Sequence, residues 1–181
     1  MLVRQFDPMS KLNYTNIGNN IKRLRIATDL SQHELSTLIP ISKRSIAKIE
    51  VGNPNLSVSK VNILLDFFKL SSTIELSTTN LLIDNDLRRK LAGYHKETHP
   101  EYLGILTKTP SIVYAIDYQL LPSNFLQKPR QIHEIKTYFA GLGWDFLSSS
   151  LTNALLRKPE QIKSAKLVGT KDINLYSQKD K

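Results

Sequence analysis

The sequence predicts a mainly α-helical protein in two parts: a four- to five-helix N-terminal domain over residues 16–72 and a C-terminal α+β module over residues 87–181. Three observations carry this. Apolar residues recur at helical spacing behind serines at positions 31, 42 and 57. The second half carries two further helical stripes and then closes on two short strand-like runs. Charge divides the chain the same way: residues 16–70 hold eight Lys/Arg against four Asp/Glu, residues 87–181 hold fifteen against eight, and residues 71–86 hold three acids and no base. Residues 1–15 are an N-terminal extension, and residues 73–86 read as a linker.

The 181-residue chain is long enough to bury a real core, and its formal net charge of +9 permits a polyanionic partner without demanding one. Cysteine is absent, which excludes a disulfide framework or a thiolate site and fits a reducing compartment. The first fifteen residues lack the apolar core of a signal peptide, and no apolar run reaches the length of a membrane span. The expectation is a soluble cytoplasmic protein with no membrane partner.

The elements follow in order. "NIGNNIKRLRIATDL" places Ile17, Ile21, Leu24 and Ala27 on one stripe, predicting a first helix that ends near Asp29. Ser31 and Glu34 form a capping-box pattern, so a second helix runs from there to about Ile39. Pro40 has no amide hydrogen and disfavours helix in the residue before it, so the chain turns there. Ser42 caps a third helix from about Lys43 to Val51, which "GNPN" ends. Ser57 opens a fourth, with Val58, Val61, Leu64, Leu65 and Phe68 inward, and "SST" breaks it.

"IGNNIKRLR", "LSQHEL" and "ISKRSIAKIEVGNPNL" together resemble the helix-turn-helix domain of the lambda repressor and Cro family, also called the XRE family, over residues 17–70. The resemblance implies a sequence-specific regulator of transcription that binds double-stranded DNA and lays its third helix in the major groove. The implied DNA-binding residues are Gln32, Ser42, Lys43, Arg44, Ser45, Ala47, Lys48, Asn53 and Asn55. Arg44 can make a bidentate pair with guanine, Lys43 or Ser45 can reach base edges or phosphate, and Lys48 with the Asn53–Asn55 loop can hold the backbone. Gln32, at the start of the second helix, would meet phosphate or an adjacent base. Arg25 and Glu50 are implied as a structural pair. A homodimer reading two half-sites is also implied, because one such module contacts few bases. Pro40 departs from the family, which usually has glycine there, and Ser36 stands where an alanine is usual; the turn must therefore differ locally.

The second half is less sharply patterned. "DLRRKLAGYHKETHPEYLGIL" is partly helical as far as Pro100. "SIVYAIDYQLLP" fits a strand by alternation and a helix by its i, i+3, i+4 apolar residues. "RQIHEIKTYFAGLG" predicts a helix with Ile132, Ile135, Tyr138 and Phe139 on one face, and "SSSLTNALLRKP" a second with Leu151, Ala154 and Leu155 inward and Asn153, Arg157 and Lys158 outward. Strands around Gly169 to Asp172 complete a pattern that resembles a winged helix. That resemblance implies a second nucleic-acid contact through Arg157, Lys158, Lys166 and Lys171; the alternative is an α/β module for dimerisation.

Enzyme-like signals are weak. "HKETH" (His95 to His99) inverts the zincin order and is followed by Pro100, so no metal is expected. "GLGW" reads as a helix C-cap before Trp144, not as a dinucleotide loop. Ala92-Gly93 and Ala140-Gly141 match the cleavage dipeptide of self-cleaving phage-type repressors, but no nucleophile segment accompanies them. The sequence thus predicts a regulator with no catalytic role and no cofactor. The alternative is an antitoxin-type protein that represses its own operon and binds a protein partner through its second half.

Overall fold

A computed structural model describes residues 12–53, 56–167 and 173–179. The chain divides into two compact units, residues 1–106 and 107–181, each with its own hydrophobic core.

In the first unit, α1 (Tyr14–Ala27) begins at Asn13, whose side chain accepts from the Asn16 amide. It ends in a left-handed residue, Asp29 (φ 52°). There the Asp29 amide donates to the Ile26 carbonyl and the Leu30 amide to that of Arg25, a Schellman closure with aspartate in place of the usual glycine. Helix α2 (Gln32–Leu38) opens on the complete Ser31/Glu34 capping box. Helix α3 (Lys43–Glu50) follows after four residues, with the Ser45 amide donating to Ser42 Oγ. The turn between them contains no left-handed residue. Ile39 is extended (φ −127°, ψ 153°), as a residue before proline prefers, and the Ile41 amide donates to the Ile39 carbonyl across Pro40 at 2.7 Å. Proline thus replaces a left-handed glycine turn by a three-residue one.

Helix α4 (Val58–Phe68) stops at left-handed Lys69. Three further helices complete the unit: α5 (Thr73–Ser77), α6 (Leu87–His95) and, after a 3-10 turn at Pro100–Tyr102, α7 (Leu103–Leu106). Residues 73–86, expected as a linker, lie inside this unit. Leu76 and Leu81 join Ile17, Ile21, Leu35, Ile46, Leu64 and Phe68 in one core, with Leu91 and Leu106. Polar side chains of α1 fasten the stretch: Asn20 Nδ2 donates to the Leu76 and Thr78 carbonyls (both 2.8 Å) and Arg23 to that of Leu81 (3.0 Å). The boundary accordingly falls after Leu106 and not at residue 86, because these leucines add burial worth about 2 kcal/mol each to the first core.

The second unit starts with α8 (Ile112–Tyr114), which continues as a π-helical stretch, Ala115–Leu120, so the ambiguous segment is helical. Strand β1 (Arg130–Gln131) leads into α9 (Ile132–Gly141), then come α10 (Ser148–Leu156), β2 (Ile162–Lys166) and β3 (Asn174–Gln178). The sheet is antiparallel in the order β1-β3-β2, with Arg130 opposite Tyr176 and Ile162 opposite Gln178. "GLGW" is a helix stop: Gly143 (φ 81°) donates to the Ala140 carbonyl and Trp144 to that of Phe139. The core gathers Ile116, Leu120, Leu126, Ile135, Phe139, Leu151, Leu155, Ile162 and Tyr176. Among the described strands β2 is an edge, and every residue of it after Ile162 is exposed. Helix, strand, two helices and two further strands follow in that order, with the third strand in the middle of the sheet.

Candidate nucleic-acid interface

Helix α3 has two sides of opposite character. Ile46 and Ile49 are buried in the first core, while Lys43, Arg44 and Lys48 are exposed. None of these three cations has a carboxylate partner among the described residues, so their charge is available to an outside anion. Ser45 and Ala47 are half-buried between the two sides. Small residues there let the helix approach a surface closely.

The helix is held by its neighbours through a charged network. Arg25 of α1 grips the Glu50 carboxylate at both oxygens, Nε to Oε1 at 2.6 Å and Nη2 to Oε2 at 3.0 Å. Its third nitrogen, Nη1, donates to the Leu30 carbonyl at 2.7 Å. Gln32 Nε2 donates to Glu50 Oε2 at 3.0 Å. Both charged side chains are largely buried, at 12% and 3% exposure, so the pair fixes the geometry of α1, α2 and α3 more than it adds net stability. Gln32, expected at the phosphate backbone or an adjacent base, spends an amide hydrogen on this internal network and is half-buried. Ser42 is occupied as the cap of α3, with its Oγ 3.0 Å from that of Ser45. The Asn53 amide donates to the Lys48 carbonyl at 3.2 Å and closes the helix, while Asn55 lies outside the described residues.

The close approach of α1 to α3 rests on a residue that apolar patterning passes over. A Cβ on Gly18 would stand 2.3 Å from the Ile49 carbonyl oxygen and 2.8 Å from the Gly52 nitrogen. Only the absence of a side chain lets the two helices meet there. The visible signal was a glycine inside an otherwise apolar stripe.

In the second unit the expected basic set is not a uniform surface. Arg157 and Lys166 are exposed, the latter opposite Asn174 at the end of β2. Lys158 is not outward: its Nζ lies 2.6 Å from Asp117 Oδ1, and its side chain is 18% exposed, because the π-helical stretch brings that carboxylate against the end of α10. Lys171 lies outside the described residues.

The two histidines of "HKETH" have separate tasks. His95 is buried, with Nε2 2.9 Å from the Phe67 carbonyl oxygen and its ring stacked on Phe67. His99 stacks on Tyr102. No group of three or more potential metal-ligating side chains occurs among the described residues. No described helix is long and apolar enough to cross a membrane.

Comparison with known proteins places the first unit. A helix-turn-helix family model matches residues 21–74, which contain α2 and α3 in full. Antitoxin PezA of Streptococcus pneumoniae serotype 4 (strain ATCC BAA-334 / TIGR4) is 36% identical over 55 residues. That match covers 30% of this chain and 35% of the antitoxin, so the chain spans about a third of its curated relative. No solved structure matches the chain at a significant level. The family match and the serine-capped pair α2–α3 agree: residues 21–74 carry a helix-turn-helix.

Proposed function

We propose that the protein is a sequence-specific DNA-binding transcriptional regulator that inserts α3 into the major groove. The observation that carries this reading is the two-sided helix itself: Ile46 and Ile49 anchor it while Lys43, Arg44 and Lys48 stand exposed without carboxylate partners among the described residues. In this reading Arg44 reads a base, Lys43 and Ser45 reach base edges or phosphate, and Lys48 with Asn53 secures the backbone. The regulator acts as a homodimer on half-sites about one helical turn apart, because a single short helix reads too few base pairs for specificity. The reading assigns it no catalytic step and no cofactor.

Selection from a randomised duplex library at two salt concentrations tests it. An enriched two-fold symmetric motif is expected; salt-sensitive retention without a motif overturns the assignment of a specific reader.

The likeness to a protein named as an antitoxin supports a second reading for the remainder of the chain: the second unit binds a protein partner while the first represses. A small protein that co-purifies in fixed ratio with the full chain, and is lost on deletion of residues 107–181, would support it. In the competing arrangement the second unit adds its own DNA contact through Arg157 and Lys166, without Lys158.

A further inference from the structure

Residues beyond the helix-turn-helix match reach the recognition helix through one buried cation. Arg88 of α6 is 4% exposed. Its Nε donates to the Leu106 carbonyl at 2.8 Å and its Nη2 to the Ile105 carbonyl at 3.1 Å. Those are terminal carbonyls of α7, which have no partner within their own helix. Its remaining nitrogen, Nη1, donates to Asp29 Oδ2 at 3.0 Å, in an ion pair whose side chains are 5% and 17% exposed.

Asp29 is the left-handed residue of the turn between α1 and α2. Glycine would be the less strained choice at such a position, and aspartate supplies what glycine lacks, a carboxylate for Arg88. The next residue, Leu30, gives its carbonyl to Arg25, and Arg25 holds Glu50 of α3, which also receives Gln32 of α2. Hydrogen bonds, joined once by the Asp29–Leu30 backbone, therefore run from the last residues of the first unit through Arg88, Arg25 and Glu50 to both helices of the DNA-reading pair. A buried guanidinium with fixed acceptors transmits displacement because losing any one partner leaves a desolvated charge.

We propose that Arg88 is a positioning residue for DNA binding, which sets α2 and α3 through Asp29 and makes their placement depend on residues 105–106, where the chain passes into the second unit. The proposal rests on the DNA-reading role assigned to α3. Arg88 itself touches no DNA in this arrangement.

The test compares full-length wild type with Arg88→Met, Arg88→Lys and Asp29→Asn. Each is measured at a temperature where its own melting curve shows it folded. The duplex selected above and a scrambled duplex serve as probes. Arg88→Met is expected to weaken the selected duplex roughly five- to thirtyfold, in the usual range of intramolecular coupling, and to leave the scrambled duplex unaffected. The slope of log K against log salt stays unchanged, since no phosphate contact is lost. Arg88→Lys restores part of the loss, because an ammonium satisfies only some of the three acceptors. Combining Asp29→Asn with Arg88→Met costs no more than Arg88→Met alone, as expected for two members of one path.

Unchanged discrimination in a folded Arg88→Met protein overturns the proposal, and a slope reduced by about one unit assigns Arg88 a direct phosphate contact instead. Should Arg88→Met not fold, Asp29→Asn carries the same comparison, since it leaves the guanidinium on its two carbonyls. A second readout needs no DNA: amide NMR shifts from Ser31 to Glu50 should move in Arg88→Met. If wild type selects no motif, the function assigned to α3 fails, while these shifts still decide the coupling: movement supports it and constancy overturns it.

Discussion

Arg44 and Lys48 sit four residues apart on one exposed face of α3 and should fail in different ways. Replacing Arg44 by alanine removes a planar, two-pronged donor and is expected to cost roughly 1–3 kcal/mol on the preferred duplex, mostly as lost discrimination at one base pair. Replacing Lys48 by alanine should weaken all duplexes alike and reduce the salt slope by about one unit. Fluorescence-anisotropy titrations of preferred and scrambled duplexes over a salt series separate the two. Most of this face was legible in the sequence because α3 is amphipathic at a strict helical period. Lys158 was not legible. A helical wheel turns it outward, but Asp117, from a segment about forty residues earlier whose π-helical geometry no local pattern announces, draws it in.

Among the elements, α1 and α3 are joined by contact as well as by charge. Gly18→Ala would drive a methyl into the backbone at Ile49 and Gly52, which cannot swing aside as a side chain would. Urea unfolding should show a loss of about 3 kcal/mol, at the upper end of overpacking penalties. Helix α9 has a pH-sensitive start. The Gln131 amide, and after it the Arg130 guanidinium, bond to Glu134 and hold its carboxyl below the usual carboxylate range. A depressed folded value means that this support is complete above the ordinary glutamate range, near about pH 4.3, and is lost as pH falls through the lower folded value. The protection factor of the Gln131 amide, its exchange rate corrected for the intrinsic pH dependence of exchange, should therefore fall on acidification while that in the middle of α10 stays constant. The serine caps made helices α2 and α3 legible one residue at a time. The helix at 112–120 was legible only as a choice between two periods, because Ile112 and Ile116 satisfy both alternation and helical spacing. Residues 73–86 misled through their composition. Serine, threonine and asparagine there serve caps and turns, and the two leucines that matter, Leu76 and Leu81, show no periodicity.

For the molecule as a whole, the unit that must fold is longer than the segment recognised by family. A fragment ending at residue 72 loses Leu76, Leu81, Leu91 and Leu106 from its core, each worth about 2 kcal/mol, against a typical total stability of roughly 5–15 kcal/mol. Fragment 12–106 is expected to melt cooperatively and to bind the selected duplex, whereas fragment 12–72 should show a broad transition and bind hydrophobic dyes. Calorimetry of the two decides it. The open edge of β2 has a different consequence, for handling the protein at high concentration. No described strand pairs with the outer side of β2, so its amides and carbonyls are offered to a second strand, and edge to edge two copies would bring Lys163 of each into one seam. Like-charged ammonium groups in that seam would oppose the pairing. Reagents that acylate lysine, used routinely for labelling, would remove the repulsion and leave a template for fibrous assembly, so a fluorophore is better attached at an introduced cysteine.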